Sequence, residues 1–239
     1  IAGRRTEQDF SWDFTPNHVP VVPGSVSNPS LLTSGGSAIT SASDVTAAFT
    51  PTADSLLVVA WGAFNLNAGI PGFTFTNTHA GSGAWTAVAA TLDTDQDARH
   101  EQARSQMGSA PGSGTITNSY SVNPSKKSWI IAEITGHDTT TPLSESNTGT
   151  GTATTLSITL VSIAAGNLAI GTISSTAQSG DITPGTNETE LAEVSSGGAP
   201  VNLEDRIQME YGTDTTVDWS TLGATNNRGV AIEYAQAAG

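Results

Sequence analysis

The stretch Ser55–Phe64, reading Ser-Leu-Leu-Val-Val-Ala-Trp-Gly-Ala-Phe, is the most apolar run in the chain, and it limits what the rest can be. Ten residues fall short of the ~20 that a membrane-spanning helix needs, and the β-branched and aromatic content reads as a buried strand. Both alternating sets are apolar: Leu56, Val58, Ala60 and Phe64 on one side, Leu57, Val59, Trp61 and Ala63 on the other. A strand in a two-layer sandwich normally shows water one face. This strand therefore needs a second cover near Trp61, and an N-terminal arm, the stretch Asp93–Ala110 or a neighbouring subunit is expected to supply it.

The surrounding composition suits strands and turns. Charged residues are 13% of the 239, too few for a helical protein rich in Glu, Lys and Arg, while regularly spaced apolar segments argue against disorder. Eight Lys plus Arg stand against 22 Asp plus Glu, a formal net charge of -14. Nucleic acid is excluded as a partner on that balance, and an anionic membrane surface on the same ground. With no cysteine there is no disulfide and no thiolate metal site, so stability must come from core size or assembly. The sequence carries no signal-peptide or transmembrane pattern, and Ile1 in place of Met implies an N-terminus that was processed or lies outside the numbered chain.

Residues 1–35 read as an extended arm. Arg4, Arg5, Phe10, Trp12 and Phe14 are followed by Pro16, Pro20, Pro23 and Pro29, and proline blocks both helix and ladder. Exposed aromatics are costly, so these five residues are the candidate interface, docking on this subunit or another. Period-2 signals begin at Ser41 and run through Val45–Phe49, Phe73–Thr76, Trp85–Leu92, Thr115–Val122 and Ser128–Thr135. Residues 93–110, the densest charge in the chain, read as a short helix or long loop. A second pass then follows: Thr155–Leu160, Gly166–Ile173, Glu190–Val194, Asp205–Tyr211 and Gly229–Ala235. Gly166–Ile173 takes the place of the opening run, and Glu233 stands to its strand as Glu133 does to Ser128–Thr135. The expectation is an all-β, antiparallel sandwich of jelly-roll type spanning residues 36–239, with pseudo-repeats at about 38–140 and 150–236 sharing one core.

Catalytic and metal signatures are sparse. Asp93, Asp95 and Asp97 have the spacing of a calcium loop, but Ala98 and Arg104 stand where an EF-hand wants Gly and Glu, so a solvated acidic loop is the better reading. His18, His79, His100 and His137 form no zinc motif. A nucleophile elbow, phosphate-binding loop and dinucleotide fingerprint are all missing. Paired carboxylates are recognised only in space. Trp61, Trp85, Trp129 and Trp219 lie in or beside strands, where core packing outweighs sugar stacking. Neither catalytic nor cofactor nor metal-binding residues are assigned.

The succession Ser-Leu-Leu-Val-Val, Gly-Ala-Trp-Thr, Trp-Ile-Ile-Ala-Glu-Ile-Thr-Gly-His-Asp, Leu-Ser-Ile-Thr, Gly-Asn-Leu-Ala-Ile-Gly and Val-Ala-Ile-Glu-Tyr, over about residues 38–236, resembles a β-sandwich module of bacteriophage virion proteins and bacterial surface proteins. The resemblance implies a non-enzymatic structural protein on a virion surface: a capsid decoration, head fibre or tail component. It would be a homo-oligomer among other virion proteins, with the arm as its attachment. The alternative is a carbohydrate-binding module or adhesin, with a glycan as partner.

Overall fold

The computed structural model describes residues 24–65, 69, 72–92, 98–178, 180–197, 204–220, 222–223 and 226–238. Among them are sixteen strands and no helix. The first eight are β1 (Ser30–Ser37), β2 (Ser43–Val45), β3 (Leu56–Phe64), β4 (Phe73–Asn77), β5 (Thr86–Leu92), β6 (Ala98–Gln106), β7 (Ile116–Tyr120) and β8 (Lys126–Ile134). The second eight are β9 (Leu143–Gly151), β10 (Leu156–Thr159), β11 (Leu168–Gln178), β12 (Thr183–Pro184), β13 (Thr189–Ser195), β14 (Glu204–Gly212), β15 (Thr216–Ser220) and β16 (Asn227–Tyr234).

Every ladder is antiparallel. The first half makes a five-stranded sheet in the order β1-β8-β3-β6-β5 and a three-stranded sheet β2-β7-β4. The second half makes β9-β16-β11-β14-β13 and β10-β15-β12. Counted from the start of each half, the two orders are the same. In each, successive strands cross between the sheets and wrap the sandwich in the jelly-roll manner, except that the fifth joins the larger sheet.

Four sheets enclose three apolar clusters. Leu57, Val59, Trp61, Trp129 and Ile131 of the first large sheet meet Ile116, Tyr120, Phe73 and Phe75 of its small one. Ala169, Ile173 and Ala231 meet Leu156, Ile158, Val217 and Trp219 in the second half. Between the halves the two five-stranded sheets pack face to face, joining Leu56, Val58, Ala60, Ile130 and Ile134 to Leu168, Ile170, Ile207, Met209, Val230 and Ile232. The sequence favours one sandwich with one core. In the structure each half has its own core and the large sheets enclose a third.

This arrangement accounts for β3. Its first eight residues are all buried, one face in its own sandwich and the other against the second half. The cover expected from an arm, the 93–110 stretch or a neighbouring subunit is instead the duplicated half of the same chain. Trp61 itself points inward, stacked on Trp129 at a centroid distance of 4.7 Å. The two halves meet reciprocally: β1 packs on β13 as β5 does on β9, and β8 on β14 as β6 does on β16. Exchanging each strand for its counterpart returns the same contacts, as across a twofold axis.

Three elements differ from the sequence reading. Residues 93–110 were expected as helix or loop, yet Ala98–Gln106 is β6, hydrogen-bonded along the whole of β3. Charge and Gln hide its strand pattern, because the polar side chains find partners inside the fold. Of the expected arm, residues 1–23 lie outside the described residues, whereas Ser30–Ser37 is edge strand β1, paired with β8. Strand β9, Leu-Ser-Glu-Ser-Asn-Thr-Gly-Thr-Gly, lacks apolar alternation because it is a half-exposed edge whose backbone pairs with β16.

Candidate functional site

The expected interface residues Arg4, Arg5, Phe10, Trp12 and Phe14 all lie outside the described residues. The calcium-like triad Asp93, Asp95 and Asp97 does too. Among the described residues, no group of three His, Asp or Glu side chains is placed to hold a metal ion.

The internal glutamates that mark the repeat do equivalent work. Glu133, on β8, accepts hydrogen bonds from the Thr52 N–H (2.7 Å to Oε2) and the Thr52 hydroxyl (2.8 Å to Oε1). Glu233, on β16, accepts from the Ala164 N–H (2.8 Å) and the Asn167 side-chain amide (2.7 Å). Each carboxylate holds the turn that leads into a central strand, β3 or β11. Charge-assisted bonds to backbone N–H groups are among the stronger ones available, so both acids are structural.

Three histidines are described, and all are buried. His79 lies tilted against Phe49 at a centroid distance of 4.6 Å, with Nδ1 3.0 Å from the Gly112 carbonyl. His137 Nε2 lies 2.7 Å from Gln106 Oε1, and burial holds the ring below its ordinary pKa. His100, on β6, faces the second half with Nε2 2.8 Å from Thr172 Oγ1. Complete burial, and then the charge of Arg228, hold it down to about 3. Gln102 donates to the Tyr234 hydroxyl (3.0 Å) and accepts from Thr172 (3.3 Å). The seam between the large sheets is thus apolar at one end and hydrogen-bonded at the other.

At that polar end lies a recess too narrow to admit a water molecule, lined by Gly62, Lys126, Ser128, Ser174, Asp205 and Arg228 among others. Arg228 is buried and donates to Ser174 Oγ at 3.4 Å. Burial pushes Asp205 up to about 6 against the pull of Arg228 and Lys126. A second polar group sits between the sheets of the second half. There Glu188 Oε2 accepts from the backbone N–H of Gly185 (3.1 Å) and of Asp218 (3.3 Å). Burial, then the neighbouring Glu188 and Asp218 charges, push Glu210 up to about 11, so this acid is protonated at neutral pH.

The third polar group is Lys127 with Asp44, in the first half. Its Nζ lies 3.5 Å from Asp44 Oδ2, and none of the Lys127 side chain is exposed. The sequence reading passed over this lysine, although its register was a usable signal: Lys127, Trp129 and Ile131 alternate onto one face. Asp205 and Glu210 gave no comparable warning, since the charges around them come from neighbouring strands and loops that their own strand pattern does not name.

The strand tryptophans are core residues, the reading favoured over sugar platforms: Trp61, Trp129 and Trp219 are buried, and half-buried Trp85 tilts against Phe75 at 5.6 Å. Compared with family models, curated proteins and solved structures, the chain matches none of them.

Proposed function

We propose that this chain is a non-enzymatic structural protein of a bacteriophage virion, a capsid decoration, head fibre or tail component, assembling through its N-terminal residues. The observation that carries this reading is where the polar chemistry is spent. Glu133 and Glu233 hold turns, His100 and Gln102 join the two halves, and His79 and His137 tie loops, all inside the fold. A double sandwich braced in this way is a building block with its interior committed to itself. The resemblance of its strand motifs to virion modules points the same way, and the aromatic residues Phe10, Trp12 and Phe14 precede the braced part.

The test is assembly. Deleting residues 1–23, while keeping β1 and the sheets intact, is expected to leave thermal unfolding unchanged and to abolish oligomers or incorporation into particles, read by light scattering and particle gels. A full chain that stays monomeric and is excluded from particles would count against the reading. Binding on a glycan array, lost on substituting Trp85, would favour an adhesin instead.

A further inference from the structure

We propose that Lys127 and Asp44 join in an intramolecular amide bond that links β8 to β2, and so ties the two sheets of the first sandwich covalently. The geometry is that of a pair held for reaction. Lys127 projects from the five-stranded sheet with its Nζ 3.5 Å from Oδ2 of Asp44 on the three-stranded sheet, their side chains 0% and 14% exposed. The ammonium also donates to the Ile39 carbonyl. On the acid side, Oδ2 accepts from the Tyr120 hydroxyl (3.0 Å) and the Ser41 hydroxyl (3.1 Å), and the Trp61 indole N–H donates to Tyr120 (3.0 Å). Carboxyl, amine and two donors are therefore fixed by three segments of chain: residues 41–44, β7 and β8.

The fold itself does not require a lysine here. Lys127 pairs with Ala63 at the eighth residue of β3, and Asn227 pairs with Ser175 at the eighth residue of β11. In the second half that equivalent position holds a neutral side chain, which donates to the carbonyls of Ala153 (2.7 Å) and Gly223 (3.0 Å). A buried ammonium costs several kcal/mol to desolvate, which an ion pair only partly returns. An amide removes both charges.

The chemistry balances within the chain. In the first step a proton passes from the ammonium to the carboxylate, leaving a neutral amine and a carboxylic acid. The Nζ lone pair attacks Cγ of Asp44. Oδ2 carries the developing oxyanion, held by the Tyr120 and Ser41 hydroxyls in the manner of an oxyanion hole. Tyr120 keeps its proton for this role, because burial, and then the charge of Asp44, hold its phenol far above the ordinary value. The C–Oδ1 bond breaks, and the oxygen leaves as water with the carboxyl proton and one from nitrogen. One C–N bond replaces one C–O bond; nothing is oxidised or reduced. Fixed proximity can substitute for an effective concentration of about 10⁵–10⁸ M, which lets such a condensation proceed in water.

The test is the mass of the full purified chain under denaturing conditions. We expect it to be one water lighter than its sequence, with no tryptic cleavage after Lys127 and a branched peptide joining the segments around residues 44 and 127. Asp44→Ala should restore the sequence mass and that cleavage. Tyr120→Phe should slow formation by about 10²-fold, the usual effect of losing one oxyanion donor. A wild-type chain at its full sequence mass, cleaved after Lys127, overturns the proposal. So does a water loss that persists in Asp44→Ala. If Asp44→Ala does not fold, Lys127→Arg serves as the control, and the wild-type mass decides alone.

Discussion

Glu133 and Glu233 show how a single residue type can mark a fold before its partners are known. An acid inside an apolar strand must be solvated by something, and a repeat of that oddity 100 residues later points to one repeated structural need. The carboxylates prove to hold the turns before β3 and β11. Glu133→Gln turns one acceptor into a donor facing the Thr52 donors, and is expected to cost about 1–3 kcal/mol, measured by urea unfolding. Glu233→Gln should cost a similar amount. The oddity was legible; the acceptor's targets were not, since Thr52 and Ala164 sit 81 and 69 residues from their acids. Glu210 yields a pH prediction. Its pKa rises from 4.5 unfolded to about 11 folded, so unfolding releases a proton throughout that interval and its contribution to stability falls as pH rises. Glu210→Gln removes the slope, and the variant should exceed the wild type most clearly in alkaline buffer and converge with it below pH 4.5 in denaturant titrations. His100 acts in the opposite sense. Its value falls from 6.5 to about 3, so its contribution is present above 6.5 and is lost as pH falls through that range.

At the scale of elements, the duplicated halves fill equivalent space in different ways. In the first, Trp61 and Trp129 project from the large sheet. In the second, Trp219 comes from the small sheet and lies over Gly171 and Gly229, where an added Cβ would approach its ring to 2.9 Å and 3.1 Å. Trp219→Ala should therefore cost about 3–5 kcal/mol through the cavity it leaves. Gly171→Ala should cost about 1–3 kcal/mol by overpacking, because its Cβ would also come within 2.3 Å of Val217. Equilibrium unfolding of both variants checks the pair, and near-equal losses from a Trp85→Ala change would contradict the assignment. Strands with apolar alternation, such as Leu156–Thr159, were readable from their pattern. Strands β6 and β9 were not, for opposite reasons: β6 is buried but polar, while β9 is a half-exposed edge whose sequence is mostly small and polar.

At the scale of the whole molecule, the contact between the large sheets decides what the chain can be. Fourteen buried residues form that cluster, and burying each large aliphatic side chain contributes about 1.5–3 kcal/mol. A half produced alone would leave Leu56, Val58, Ile130 and Ile134, or their counterparts, facing water. Residues 1–137 and 138–239 expressed separately should therefore aggregate or self-associate, whereas co-expression should return a one-to-one complex by size-exclusion chromatography; two stable monomers would contradict this reading. The sequence alone determined the all-β class, the antiparallel sandwich type, the duplication and the two-sided burial of Ser55–Phe64, because these follow from residue periodicity and from the repeat of that periodicity along the chain. Only the tertiary structure decided what covers the second face of that strand and where each buried polar group finds its partner. A period-2 pattern says which residues must leave water, but not which surface they meet, and that surface comes from another strand set more than 100 residues away.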